Sequence, residues 1–282
     1  GGVDASAGLE KAKKLATVDK VKIVYGPLHS GQAMATAPFL AENKIVQVGP
    51  MGKDMAALKW KHYILPWGTH DTQGMPLGWY AYDQLGYRKV VSLGSDYVAG
   101  HRFVAGAVEE FKKKGGTVLQ QQWAPAGTAD FGPYLTGMKE ADAIVTWLGG
   151  AELMRFIKQH KEFGIKMPVI QVTGDQLRAT HMKELGDSIL GAISSLNYTS
   201  TIDNPANKKL VAAFAARVGK DRNLERDVYC SYNCLEVILA GLEATKGDDS
   251  FEKLYPAILG LKLDTALGPI SFHPSGYGIV NG

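Results

Sequence analysis

Up to about residue 200 the chain alternates short β-branched runs with longer amphipathic stretches, and few folds accept that order. The pattern predicts helices over 6–17, 30–43, 54–60, 72–85, 101–114, 131–139, 152–163 and 180–185. Between them it predicts strands over 21–25, 45–48, 63–65, 89–93, 117–122, 143–148, 169–172 and 192–196. Strands separated by crossover helices must run parallel, and a parallel sheet is covered on both faces, so the fold class is α/β. That many strands exceeds one ordinary open sheet, which points to two doubly wound lobes.

From Asn204 the order changes. Three helices follow without a strand, over 205–218, 227–244 and 250–261, and the chain closes on a hairpin turning at Pro274-Ser275-Gly276. Helices that return to cover an earlier sheet imply lobes built from separate segments. The expected division is 1–88 with 199–265 for the first lobe and 89–198 with 266–282 for the second.

At 282 residues, 45% hydrophobic and 21% charged, the chain has the length and balance of a two-lobed globular protein. The net charge of +3 carries one compact basic run, Lys112-Lys113-Lys114, at a predicted helix end. Lysines there complement the helix dipole and do not make a nucleic-acid patch. No apolar run is long enough to cross a bilayer. Cys230 and Cys234 stand four apart in a helical pattern and read as buried thiols on one face.

Nucleophile elbows, phosphate loops, dinucleotide fingerprints and zinc-helix motifs are all missing from the sequence. In an α/β fold of this kind ligands bind outside the carboxyl ends of the strands. Those ends predict loops at 26–30, 49–52 and 66–68 in the first lobe, and at 94–97, 148–151 and 173–176 in the second. At the first of them a strand hands over to a helix opening at Ser30, where a hydroxyl and unpaired backbone N–H groups converge. Ser30 therefore has two readings, an anion contact or a helix cap. Trp67 and Tyr97 are candidate walls for an apolar or aromatic ligand or packing residues. Asp175 is a candidate partner for an ammonium group and Arg178 for a second acid, or each is a member of a surface or inter-lobe ion pair.

The segments Lys20-Val-Lys-Ile-Val-Tyr-Gly-Pro-Leu-His-Ser-Gly31, Asp71-Thr-Gln-Gly74, Gly94-Ser-Asp-Tyr97, Asp130-Phe131, Asn204-Pro-Ala-Asn207 and Gly268-Pro-Ile270 occur in a specific order. In that order the chain resembles the periplasmic solute-binding proteins of ABC importers, of the branched-chain amino acid (Leu/Ile/Val-binding) type. The resemblance implies the type I periplasmic-binding-protein fold: two doubly wound parallel-sheet lobes joined by a hinge of three crossing strands, with the ligand in the cleft and no catalysis. It implies that Ser30, preceded by His29, meets the ligand carboxylate with help from the backbone of Met51 and Gly52. Contacts from the other lobe are expected from the loop at 96–100 with Tyr97, from Gly150 and Ala151, and from the loop carrying Asp175 and Gln176. Relatives begin with a further strand, helix and strand, so the chain is expected to be part of a longer protein that exposes an apolar sheet edge here.

Two departures bear on the ligand. Ala99 stands where binders of aliphatic amino acids often carry tyrosine, and the position where an acid meets the ammonium group falls on Gly174 without a gap, with Asp175 next to it. The segments 96–101 and 130–135 are similar to those of aromatic carboxylate binders. The leading expectation is a small hydrophobic or aromatic carboxylate, with a branched-chain amino acid as the alternative and a ligand-sensing regulatory domain as a further one. The resemblance also implies a periplasmic location, a membrane permease as partner, a monomer, and no cofactor, metal or nucleic acid.

Overall fold

The computed structural model describes residues 4–49, 60, 62–174, 179–219, 222 and 224–280. They form two units, residues 1–69 with 197–282 and residues 70–196. The first unit opens with α1 (Ala5–Thr17), β1 (Ile23–Tyr25), α2 (Ser30–Glu42), β2 (Val46–Val48) and β3 (Tyr63–Ile64). Its strands are parallel in the order β1-β2-β3. Alternation along β2 divides its faces, as the pleat requires. Val46 and Val48 enter one apolar cluster, whereas Gln47 points the other way, where its Nε2 donates to the Gly26 carbonyl at 2.9 Å and to Thr36 Oγ1 of α2 at 3.3 Å. Gly26 has φ +95°, a conformation costly for any residue with a Cβ, and it turns the chain from β1 toward α2.

The second unit runs through α3 (His70–Asp83), β4 (Lys89–Ser95), α4 (Val98–Lys113), β5 (Thr117–Ala124), α5 (Gly132–Thr136) and β6 (Ala143–Trp147). It continues through α6 (Gly150–Glu162), β7 (Val169–Gln171), α7 (Ala179–Leu185) and β8 (Ile193–Ser194). The five strands are parallel in the order β5-β4-β6-β7-β8. This is the doubly wound order in which the chain starts inside the sheet, steps to one edge and then returns past its start. Val91, Leu93, Ile144 and Val169 pack against Phe131, Leu153, Phe156 and Ile157 on one face. On the other, α4 buries Phe103, Val104, Ala107, Val108 and Phe111.

Helices α3 and α4 approach closely through glycine. A methyl group at Gly74 would meet the backbone of Phe103 and Ala107, one at Gly78 the backbone of Ala107 and Phe111, and one at Gly106 the backbone of Asp71. This contact is why residues 70–88, expected in the first lobe, belong to the second unit.

The chain then returns to the first unit with α8 (Pro205–Val218), α9 (Arg226–Ala244), α10 (Phe251–Leu259), β9 (Leu263–Thr265), β10 (Gly268–Phe272) and β11 (Gly278–Val280). Asn204 caps α8 by accepting from Asn207 N at 2.7 Å, and buried Asn207 ties the preceding loop down by donating to the Ser200 and Ile202 carbonyls. Burial pushes the Tyr198 phenol up to about 12, so it stays a neutral donor to Asn207 Oδ1 at 2.7 Å. Val237, Ile238, Leu254 and Ile258 cover Val46, Val48 and Ile64.

The final hairpin was expected in the second lobe and lies in the first unit. There β10 pairs antiparallel with β9 as well as β11, and Leu65 exchanges backbone bonds with Gly276 and Gly278, both at 2.7 Å. Within the given sequence the chain passes between the units at 69–70 and 196–197. No described helix is long and apolar enough to cross a membrane.

Two measurements test this packing. Gly78→Ala is expected to force α3 and α4 apart at a cost of about 1 to 3 kcal/mol, read as a lower midpoint of urea unfolding; an unchanged midpoint would refute the tight contact. Cys230 and Cys234 are buried, unbridged thiols, and burial raises the Cys234 pKa, which keeps thiolate scarce at neutral pH. A thiol reagent is expected to label them at the rate of unfolding, and rapid labelling of the native protein would contradict their placement.

Candidate functional site

In the first unit the strand β1 ends at Tyr25 and α2 begins at Ser30. The cap position belongs to His29, whose extended backbone precedes the helix and whose side chain makes no capping bond. Ser30 is the first helical residue and only 6% exposed. It is therefore not the cap that a serine before a helix suggests. The first turn of α2 holds no acidic residue, so the positive end of its dipole meets no carboxylate of its own helix. Met51 and Gly52 lie outside the described residues.

Trp67 is built into the core of the first unit. It is 6% exposed and meets Tyr229 edge-on at 5.7 Å, within a cluster that includes Leu65, Tyr198, Leu224 and Ala266. The packing reading of this residue is the one its surroundings support.

The second unit has its switch point where β4 and β6 lie side by side and their helices leave on opposite faces. The carboxyl ends of these strands carry Ser95, Asp96 and Tyr97 from one and Leu148, Gly149, Gly150 and Ala151 from the other. Tyr97 occupies the cap position of α4 and is half-buried; Gly150 opens α6, and Ala151 is exposed. Three of the expected residues are thus brought together by the sheet. Asp175 and Gln176, with Arg178, lie outside the described residues.

Several groups at this switch point were not singled out from sequence. Glu152, in the first turn of α6, accepts from Ser95 Oγ at 2.5 Å, from Gly149 N at 3.4 Å and from Gly127 N. Its carboxylate occupies the positive end of α6 and ties the end of β4 to the loops after β5 and β6. A glutamate three residues after the loop glycine Gly149 is the spacing of a capping box, and that signal was available.

Trp147 ends β6 at 5% exposure, stacked on Phe103 at 5.0 Å and met edge-on by Tyr97 at 5.6 Å. Its indole Nε1 donates to Thr173 Oγ1 at 3.0 Å. Thr173 has φ +58°, rare for a β-branched residue, and sequence gives no hint of it. Beside them His101 stacks on Trp123 at 3.7 Å and bonds Asp96 at 2.7 Å. A separate groove of about 140 Å³, lined by Ile157, His160, Lys166, Val169 and Leu190, opens at the amino end of β7, away from the switch point.

Comparison with known proteins agrees with this architecture. A family model described as periplasmic binding protein matches residues 1–279. The Leu/Ile/Val-binding protein homolog 6 of Brucella melitensis is 26% identical over 273 residues, covering 93% of this chain and 69% of its own length. An ABC transporter substrate-binding protein from Sphaerobacter thermophilus superposes with a TM-score of 0.89 at 29% identity, over 98% of this chain and 77% of its own. A solute-binding protein of an ABC transporter from R. palustris, solved in complex with 4-hydroxybenzoate, gives 0.88 at 26% identity over the same shares. With a family match over nearly its whole length, the chain belongs to the periplasmic binding protein family.

Proposed function

We propose that the protein is the extracytoplasmic solute-binding protein of an ABC importer, that it captures a small hydrophobic or aromatic carboxylate without transforming it, and that it hands the ligand to a membrane permease. The observation that carries this reading is the difference between two helix N-termini. That of α6 is occupied by its own Glu152, whereas that of α2 has neither a side-chain cap from His29 nor an acid in its first turn, and it carries buried Ser30. An exogenous carboxylate fits the second and is repelled from the first. Ser30 and the first-turn N–H groups of α2 then receive the acid group, and Tyr97, considered within the second unit, is the candidate contact for an apolar or aromatic group.

The R. palustris relative bound to 4-hydroxybenzoate supports the aromatic reading. The Leu/Ile/Val-binding relative supports the alternative, a branched-chain amino acid. Against it stands Ala99, a small residue buried in the first turn of α4 that offers no phenol to an aliphatic ligand. In this reading the protein works as a monomer in the periplasm and needs no cofactor.

Titration calorimetry on protein freed of bound ligand, with 4-hydroxybenzoate, benzoate and leucine, tests the assignment. Binding of an aromatic acid is expected; binding of leucine alone would favour the alternative, and no heat with any of them would remove the transport reading. Ser30→Ala is expected to weaken binding of the preferred acid by about 1 to 3 kcal/mol, the range for a hydrogen bond to a charged group. Undiminished affinity in that variant would take the carboxylate away from α2.

A further inference from the structure

We propose that Trp147 and Thr173 act as a positioning pair for Tyr97, and that their hydrogen bond makes the switch point of the second unit selective for a planar ring over a branched aliphatic chain. The inference rests on the proposed function and adds the residues that set its ligand class. It starts from the backbone of Thr173. A β-branched residue at φ +58° is costly, and such strain persists only where the surroundings hold it. Thr173 is 2% exposed, and its hydroxyl accepts the indole N–H of Trp147 at 3.0 Å. Its backbone N–H in turn donates to Ser195 Oγ at 3.3 Å, and Gly174 N donates to the Ser195 carbonyl at 2.6 Å. Glycine at this position would relieve the backbone but leave a buried indole N–H without its acceptor, which is the greater loss.

The consequence passes to Tyr97 through Trp147. The indole is fixed on one side by its face-to-face stack on Phe103, at 12° between planes, and at its nitrogen by Thr173. Tyr97 meets it edge-on at 68°, so the indole is one of the surfaces that set the angle of the phenol. A ring bound against Tyr97 gains from offset or edge-to-face geometry only while the phenol is held at a fixed angle. An aliphatic chain gains from buried area, which tolerates rotation of the wall. Loosening Trp147 therefore takes away the ring-specific part of the affinity and leaves most of the rest.

The test compares wild type with Thr173→Val, which keeps the shape and removes the acceptor, and with Thr173→Ser, which keeps the acceptor. Calorimetry with 4-hydroxybenzoate and leucine is combined with proton spectra of the Tyr97 ring and of the Trp147 indole N–H in ligand-free protein. In Thr173→Val the Tyr97 ring signals are expected to lose the shift caused by the indole, and 4-hydroxybenzoate to bind about three- to tenfold more weakly, the worth of one aromatic contact. Leucine is expected to change less than about twofold, and Thr173→Ser to resemble wild type in both readouts. Valine and serine variants with the same Tyr97 signals would overturn the positioning role even if ligands bind normally, and equal weakening of both ligands in Thr173→Val would overturn the selectivity. Wild-type protein that binds neither compound would instead remove the proposed function, and the selectivity with it.

Discussion

The pairing of β4 with both β5 and β6 is the constraint on which the second unit depends. Because β4 leads outward to β5 while β6 leads the other way to β7, right-handed crossovers put α4 on one face of the sheet and α6 on the other. Their diverging N-termini open the crevice that holds Tyr97, Gly150 and Ala151. The glycine contact between α3 and α4 serves the same end. It lets two helices share one face within backbone distance, so that Phe103 lies flat beneath Trp147 and supports it.

The chemistry offered to a ligand follows from how each helix end is satisfied. Every α-helix begins with N–H groups that lack intrahelical acceptors, and an end buried without a cap is costly. In α6 the cost is met internally by Glu152, whose carboxylate also gathers Ser95 and Gly127. In α2 the His29 side chain supplies no such cap, and the residue set at the opening is a buried serine.

A good part of this was legible in the sequence, because helical period, capping and apolar runs are local. The described strand ends at Tyr25, Ser95 and Trp147 fall within two residues of where the punctuation put them, and α8 spans the residues expected from Asp203-Asn204-Pro205. The motif at 204–207 is a structural stitch, with both asparagines engaged in backbone bonds. The unit boundaries were misread, since nothing in residues 70–88 or 266–282 announces which sheet they will join. Trp67 was ambiguous for the same reason: an aromatic after a strand is equally able to face solvent, a ligand or Tyr229.

What the sequence determined by itself is the class: parallel strands with crossover helices, loops at their carboxyl ends, and a family likeness carried by the order of its motifs. Tertiary structure alone decided that β4 lies between β5 and β6, that Ser30 stands inside the helix rather than at its cap, and that Glu152 closes the end of α6 while the first turn of α2 holds no acid. It also decided that Thr173 takes a left-handed backbone to hold Trp147. Those outcomes depend on contacts between residues far apart in the chain, whose energies are invisible to any local pattern.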